Sequence, residues 1–154
     1  MPSAGFIDLI ITGGEGIPLL QRRIATYEVR LQDHTEPLQQ IAQDVLREVD
    51  DNFGNQGGRY GPWSPLAPST MASRRFPSMP ILQQTGEMRS SFKVLESSPN
   101  SITVGSRNWK ATIHQGGTRD GRIPARRMIG LSWDMREKMV QRFSEWVKKV
   151  LAEG

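Results

Sequence analysis

No cysteine occurs in this chain of 154 residues. Disulfides, thiolate chemistry, Cys-ligated zinc and iron–sulfur clusters are thereby excluded, and a reducing compartment fits. Histidine is nearly as scarce, with only His34 and His114. There is no nucleophile elbow, no H-E-x-x-H and no D-x-D cluster, so the catalytic and metal-binding inventory is poor. Long apolar runs are missing too, and no uncharged stretch is long enough to span a bilayer. The opening MPSAGFIDLIITGG lacks the basic start of a signal peptide, and Asp8 interrupts its apolar run. The chain reads as a soluble protein made in the cytoplasm, with no membrane partner, no cofactor, no metal and no enzymatic activity.

Apolar residues make up only 36% of the sequence, whereas glycine and proline number 15 and 10. With a mean hydropathy of −0.49, this implies a smallish core and long irregular segments. The length suits a single domain spanning residues 1–154. A net charge of +4 permits contact with nucleic acid without requiring it.

Residues 5–12 (GFIDLIIT) read as a short strand. A helix is expected over 17–31, with Leu20, Ile24, Tyr27 and Leu31 at helical spacing. A second follows from a Thr35 N-cap, its core face formed by Leu38, Ile41, Ala42, Val45, Leu46, Val49 and Phe53. Asp44, Arg47, Glu48, Asp50 and Asp51 fall mostly on its other face, and His34 is expected to face water between the helices. Residues 54–80 then change character, with four glycines and five prolines. An arm that long is usually functional or disordered, and Tyr60 and Trp63 argue against a plain solvated linker. A helical turn or two is expected within 69–75, and a short helix over 81–91. FKVLE (92–96) and SITVG (101–105) alternate as a hairpin, with Phe92, Val94, Ile102 and Val104 on one side. WKATIHQ (109–115) reads as a third antiparallel strand ending near His114, and RIPARRMIGLS as an edge-like fourth. The chain closes with an amphipathic helix over 133–152, capped by Ser132, with Met135, Met139, Phe143, Trp146, Val147 and Val150 as its core stripe. The expected class is α+β: two N-terminal helices, a Gly/Pro-rich arm, a small antiparallel sheet and a C-terminal amphipathic helix.

The stretch HQGGTRDGRIPARRMIG (114–130) carries Arg119, Arg122, Arg126 and Arg127 within nine residues, opposed only by Asp120. Gly116 and Gly121 echo the spacing of a phosphate-binding loop, but its lysine and Ser/Thr are absent and Pro124 stands where a helix would begin. Charge is uneven along the chain. Residues 33–51 carry six acids against Arg47, and residues 59–127 carry eleven Lys/Arg against Glu87, Glu96 and Asp120. Opposite patches allow head-to-tail self-association, while solvated charge explains the pattern equally well.

The ordered series Phe53, WSPL (63–66), ILQQTGEMRSSF (81–92), VGS (104–106), IHQGG (113–117) and IPARRMIGLSWD (123–134) resembles the phage virion morphogenesis family. That group includes Mu-like morphogenesis proteins and tail-completion proteins. Trp63, Thr85, Gly86, His114, Gln115, Gly116, Gly117, Ile123, Pro124, Ala125 and Arg126 carry the likeness. Met128 and Ile129 stand where relatives often place an aromatic. The resemblance implies a structural, non-enzymatic part of the virion at the head–tail junction. It implies a ring, a hexamer or dodecamer, around the DNA channel, with neighbouring connector or tail proteins as partners. Tyr60, Trp63, His114, Gln115, Gly116, Gly117, Arg119, Arg122, Pro124, Arg126 and Arg127 are the candidate subunit-interface or DNA-lumen residues. A basic nucleic-acid-binding module is the alternative, separable by the salt dependence of duplex binding.

Overall fold

The computed structural model describes residues 16–153, with side chains from Gln21 onward. The strand expected at residues 5–12 lies outside the described residues. The elements are α1 (Gly16–Gln32), α2 (Thr35–Gly54), a 3-10 turn (Gly58–Tyr60), α3 (Pro68–Ser73), α4 (Glu87–Ser90), β1 (Lys93–Ser98), β2 (Ser101–Gly105), α5 (Trp109–Gly116) and α6 (Trp133–Ala152). The class is α+β, with a two-stranded antiparallel sheet and a C-terminal helix.

Helix α2 is the central element: α6 and the hairpin pack on it, and the 3-10 turn and α4 meet its C-terminal part. Ile41, Ala42, Val49 and Phe53 are buried, as the apolar periodicity requires. Val49 and Phe53 join Trp63, Met88, Ala111 and Met128 in one cluster, so four separate chain segments close over the end of α2. The Phe53 ring meets Trp63 edge to face at 5.3 Å and Phe92 at 6.0 Å. Ser132 caps α6 as expected, its hydroxyl accepting from the Met135 amide at 3.1 Å.

Of the polar residues assigned to the other face of α2, Arg47, Asp50 and Asp51 are exposed as expected, but Asp44 and Glu48 are not. Asp44, Glu48 and Asn52 are all buried. Asp44 accepts two hydrogen bonds from the Arg142 guanidinium of α6, at 2.9 and 3.3 Å. Glu48 accepts from the Tyr60 hydroxyl at 2.7 Å and from Ser132 at 3.0 Å. Asn52 donates to the Met128 carbonyl at 3.0 Å. Buried polar groups persist where such partners offset desolvation.

Several other expectations change. The first turn of α2 is held by Asp33, whose carboxylate accepts from the Thr35 amide at 2.9 Å, so Thr35 is the first helical residue and not its cap. His34 is half-buried where full exposure was expected; its ring meets Phe143 edge-on at 5.8 Å and Trp146 at 5.4 Å, because the two-residue joint folds onto α6. In α1, Ile24 is exposed and only Tyr27 and Leu31 of its described apolar positions are partly covered, since α6 ends beneath Tyr27. The hairpin forms with a bulge between Val94 and Glu96, which keeps Val94 and Ile102 against α2. Only Glu87–Ser90 of the expected 81–91 helix is helical, because Leu82 at φ 61° and Gly86 at φ 73° break it.

The expected third strand is helix α5. Asn108 starts it by accepting from the Lys110 amide at 3.0 Å, and Ala111 and Gln115, one turn apart, face inward. The expected fourth strand has no ladder; residues 127–129 are held by side chains instead. Gln115 accepts from the Met128 and Ile129 amides at 2.8 and 3.3 Å and donates to the Ile129 carbonyl at 2.6 Å.

The Arg142 hydrogen bonds hold the Asp44 carboxyl below its ordinary 3.8, against the opposing effect of burial. As pH falls the unfolded chain therefore takes up its proton first, so this contribution is complete above about pH 4–5 and is lost below it. Asp44→Asn is expected to lower stability at pH 7 and to flatten the acid limb. Urea unfolding across pH 3–7 checks this, and an unchanged acid limb counts against the pair.

Candidate interface of the arm and the arginine loop

The arm leaves α2 through a tight reversal. Gly57, at φ 120°, has the Trp63 amide so close that any Cβ would collide with it, and Trp63 donates to the Gln56 carbonyl at 2.7 Å. The reversal drops Tyr60 onto Glu48 and Trp63 onto Phe53. Burial, followed by the Glu48 hydrogen bond, pushes the Tyr60 hydroxyl far above its ordinary value, so it stays a donor at any physiological pH. Arg59 reaches Glu48 at 3.7 Å and also pairs with Asp134 at the start of α6.

Arm and arginine loop clasp each other reciprocally. The Trp63 indole donates to the Arg127 carbonyl at 2.9 Å. In return, the Arg126 guanidinium donates to the Ser64 and Pro65 carbonyls at 3.0 and 3.1 Å. Arg126 is only 3% exposed, and among the described residues no carboxylate pairs with it. Burial lowers its pKa, and its charge beside His114 adds to the burial that lowers the imidazole's. The sequence placed Arg126 and Pro124 among the candidate interface or lumen residues; within this chain Arg126 is an internal tie, and Pro124 is half-buried. His114 is likewise inward, in α5 and not at a strand end, with its Nδ1 buried and unpartnered. It helps line a cleft of about 390 Å³ between α3, residues 82–88 and α5.

The loop itself is a compact excursion. At its base the Thr118 amide donates to the Ile123 carbonyl at 2.8 Å, the Ile123 amide to the Thr118 hydroxyl at 2.9 Å, and the Arg126 amide to the His114 carbonyl at 2.6 Å. Gly117 sits at φ 73°, where a Cβ would lie 2.7 Å from the Ala125 nitrogen, so this position demands glycine. Gly116 has open space around it. What the loop presents outward is its tip: Arg119 is exposed, and the Arg122 side chain, 3.2 Å from Asp120, is 87% exposed. Arg127 is also exposed, its guanidinium 6.0 Å over the Tyr60 ring. The candidate set thus divides. Tyr60, Trp63, His114, Gln115, Gly117 and Arg126 build the scaffold, and Arg119, Arg122 and Arg127 face out.

The acidic run 33–51 is largely consumed within the chain. Besides Asp44 and Glu48, Glu36 pairs with Lys149 at 2.7 Å and Asp50 with Arg89 at 2.6 Å. Sequence reasoning missed the internal ties Asp44, Glu48, Asn52 and Gln83; the last donates to the Phe53 carbonyl at 2.8 Å at the end of α2. A signal for two of them was present. At about 100° per residue, positions 48 and 52 project within about 20° of Ile41, inside the apolar arc. Among the described residues, no group of three or more His, Asp or Glu could hold a metal ion, and no helix is long and apolar enough to cross a membrane.

Arg126→Met removes the donors to the Ser64 and Pro65 carbonyls. It is expected to cost about 1–3 kcal/mol and to free the arm for trypsin at Arg74 and Arg75. Urea unfolding and the cleavage rate measure both, and unchanged values contradict the clasp.

Residues 18–148 match the model of the phage virion morphogenesis family. No curated protein and no solved structure matches the chain.

Proposed function

The chain belongs to the phage virion morphogenesis family, and we propose that within virion assembly it is a non-enzymatic structural protein of the neck. In this reading it completes the tail or joins it to the head as a ring of identical subunits around the DNA channel, next to connector or tail proteins. The observation that carries the proposal is the division of the arginine loop. Its base is locked by Gly117, Arg126 and Gln115, while Arg119 and Arg122 stand out on an exposed tip. An exposed tip of planar cations on a fixed base suits docking onto a partner protein or sliding past phosphate without reading sequence. Among the described residues the buried Nδ1 of His114 has no hydrogen-bond partner.

A second reading, a nucleic-acid-binding module, draws on the same tip together with Lys110, whose ammonium lies 5.8 Å over the largely exposed Trp109 ring. Salt separates the two. A protein held by phosphate contacts loses duplex affinity by orders of magnitude between about 50 and 200 mM salt.

The double variant Arg119→Ala, Arg122→Ala tests the proposal, because both side chains lie outside the core. Supplied to a phage lacking its own copy, it is expected to fold with unchanged thermal stability and to leave filled heads and free tails unjoined by electron microscopy. Infectious yield equal to wild type contradicts the proposal.

A further inference from the structure

None of the residues lining the cleft between α3, residues 82–88 and α5 belongs to the arginine loop's tip. Three distant blocks of sequence build it: Leu66 comes from the arm, Leu82, Thr85 and Met88 from the stretch before the hairpin, and His114 from α5. At about 390 Å³ it has the size of a site for a small ligand or a few residues of peptide.

One wall is fixed from behind. Gln83 is buried, donates to the Phe53 carbonyl at 2.8 Å and accepts from Arg89 at 2.9 Å. This anchoring holds Leu82 at φ 61°, a costly conformation for a side chain of its size. Leu82, Leu66 and Met88 together give the cleft an apolar side.

The polar side is unbalanced. The Nδ1 of His114 is buried without a partner, so Nε2 is the nitrogen that can face the cleft. An orphaned buried N–H costs more than an orphaned lone pair, and burial keeps the ring neutral. The proton therefore sits on Nε2, which becomes a donor towards the cleft. Arg74, at the end of α3, and Lys110, on the first turn of α5, add cations from two different walls. Among the described residues no carboxylate pairs with either. Arg74 donates to the Met79 and Pro80 carbonyls at 2.7 and 3.0 Å, which position its charge without neutralising it. Against these two cations the lining holds a single acid, Glu87.

We infer that this cleft binds a short segment of a neighbouring virion protein in which an acidic side chain stands between aliphatic ones. The cations and the His114 donor receive the carboxylate, and the aliphatic side chains cover Leu66, Leu82 and Met88. Glu87 accepts from the segment's backbone amides, which a bare phosphate or a nucleic-acid backbone does not offer. The inference rests on the virion reading above only for the source of the partner, and it uses neither tip arginine.

Two histidines make the test clean. Imidazole nitrogen resonances report on His114, with His34 before the first turn of α2 as the internal control. The blocked pentapeptide Ala-Leu-Asp-Leu-Ala, titrated into the full chain, is expected to shift the His114 Nε2 resonance to saturation and to leave that of His34 in place. The analogue with asparagine for aspartate is expected to bind about tenfold more weakly, the loss of one charge-assisted contact. Lys110→Gln is expected to lower affinity for the aspartate peptide by a similar factor with unchanged thermal unfolding, since Lys110 is exposed. No response at His114, or equal affinity for the asparagine analogue, overturns the inference. An equal response to acetate, inorganic phosphate or a DNA oligonucleotide also overturns it, because the cleft would then take a bare anion. These titrations need no phage: a silent cleft leaves the neck reading standing, and a wild-type yield from the tip variant leaves the cleft standing.

Discussion

The arm and the arginine loop of this protein hang on a polar stripe buried along α2. Asp44, Glu48 and Asn52 recur at four-residue spacing, each under cover, and each binds a different part of the chain. Asp44 takes α6 through Arg142, Glu48 takes the arm through Tyr60 and the α6 cap through Ser132, and Asn52 takes the loop through the Met128 carbonyl. An apolar stripe could bury these segments but could not fix their register, because hydrophobic contact is non-directional. Directional bonds at three successive turns of one helix do fix it.

This explains how a chain with so many glycines and prolines holds long irregular segments in place. Backbone groups that leave water need partners, and here no wide sheet supplies them. Side chains do: Gln115 serves both amides and a carbonyl at 128–129, Trp63 and Arg126 serve carbonyls across the clasp, and Gln83 serves the end of α2. The family motifs become physical on this view. In IHQGG the glutamine is the bridge and the second glycine the hinge; in IPAR the arginine is the tie. Such residues carry the geometry, while Arg119, Arg122 and Arg127 beside them stay exposed.

The helices were legible in the sequence because amphipathic periodicity survives tertiary packing; α1, α2 and α6 lie within a residue or two of their expected bounds, and the hairpin is where its alternation put it. Alternation failed at WKATIHQ, where the same letters also place Ala111 and Gln115 on one helical face and Asn108 supplies a cap that a strand would not use. The inward turn of Arg126 was not legible, since its partners are carbonyls that any residues at 64 and 65 would provide. Glu48 and Asn52 were legible in principle: charged or amide residues centred on an apolar arc announce a buried network. The likeness to the family, read from ordered motifs, agrees with the match over residues 18–148.

The most direct measurement of this account is native-state hydrogen exchange on Glu48→Ala beside the wild type. The Trp63 and Arg126 amides report on the arm and the loop, and the Val94 and Val104 amides on the hairpin. If the buried stripe organises the irregular half, the arm and loop amides lose protection together while the hairpin amides keep theirs. Unchanged protection in the arm and loop, or equal loss at every site, contradicts it.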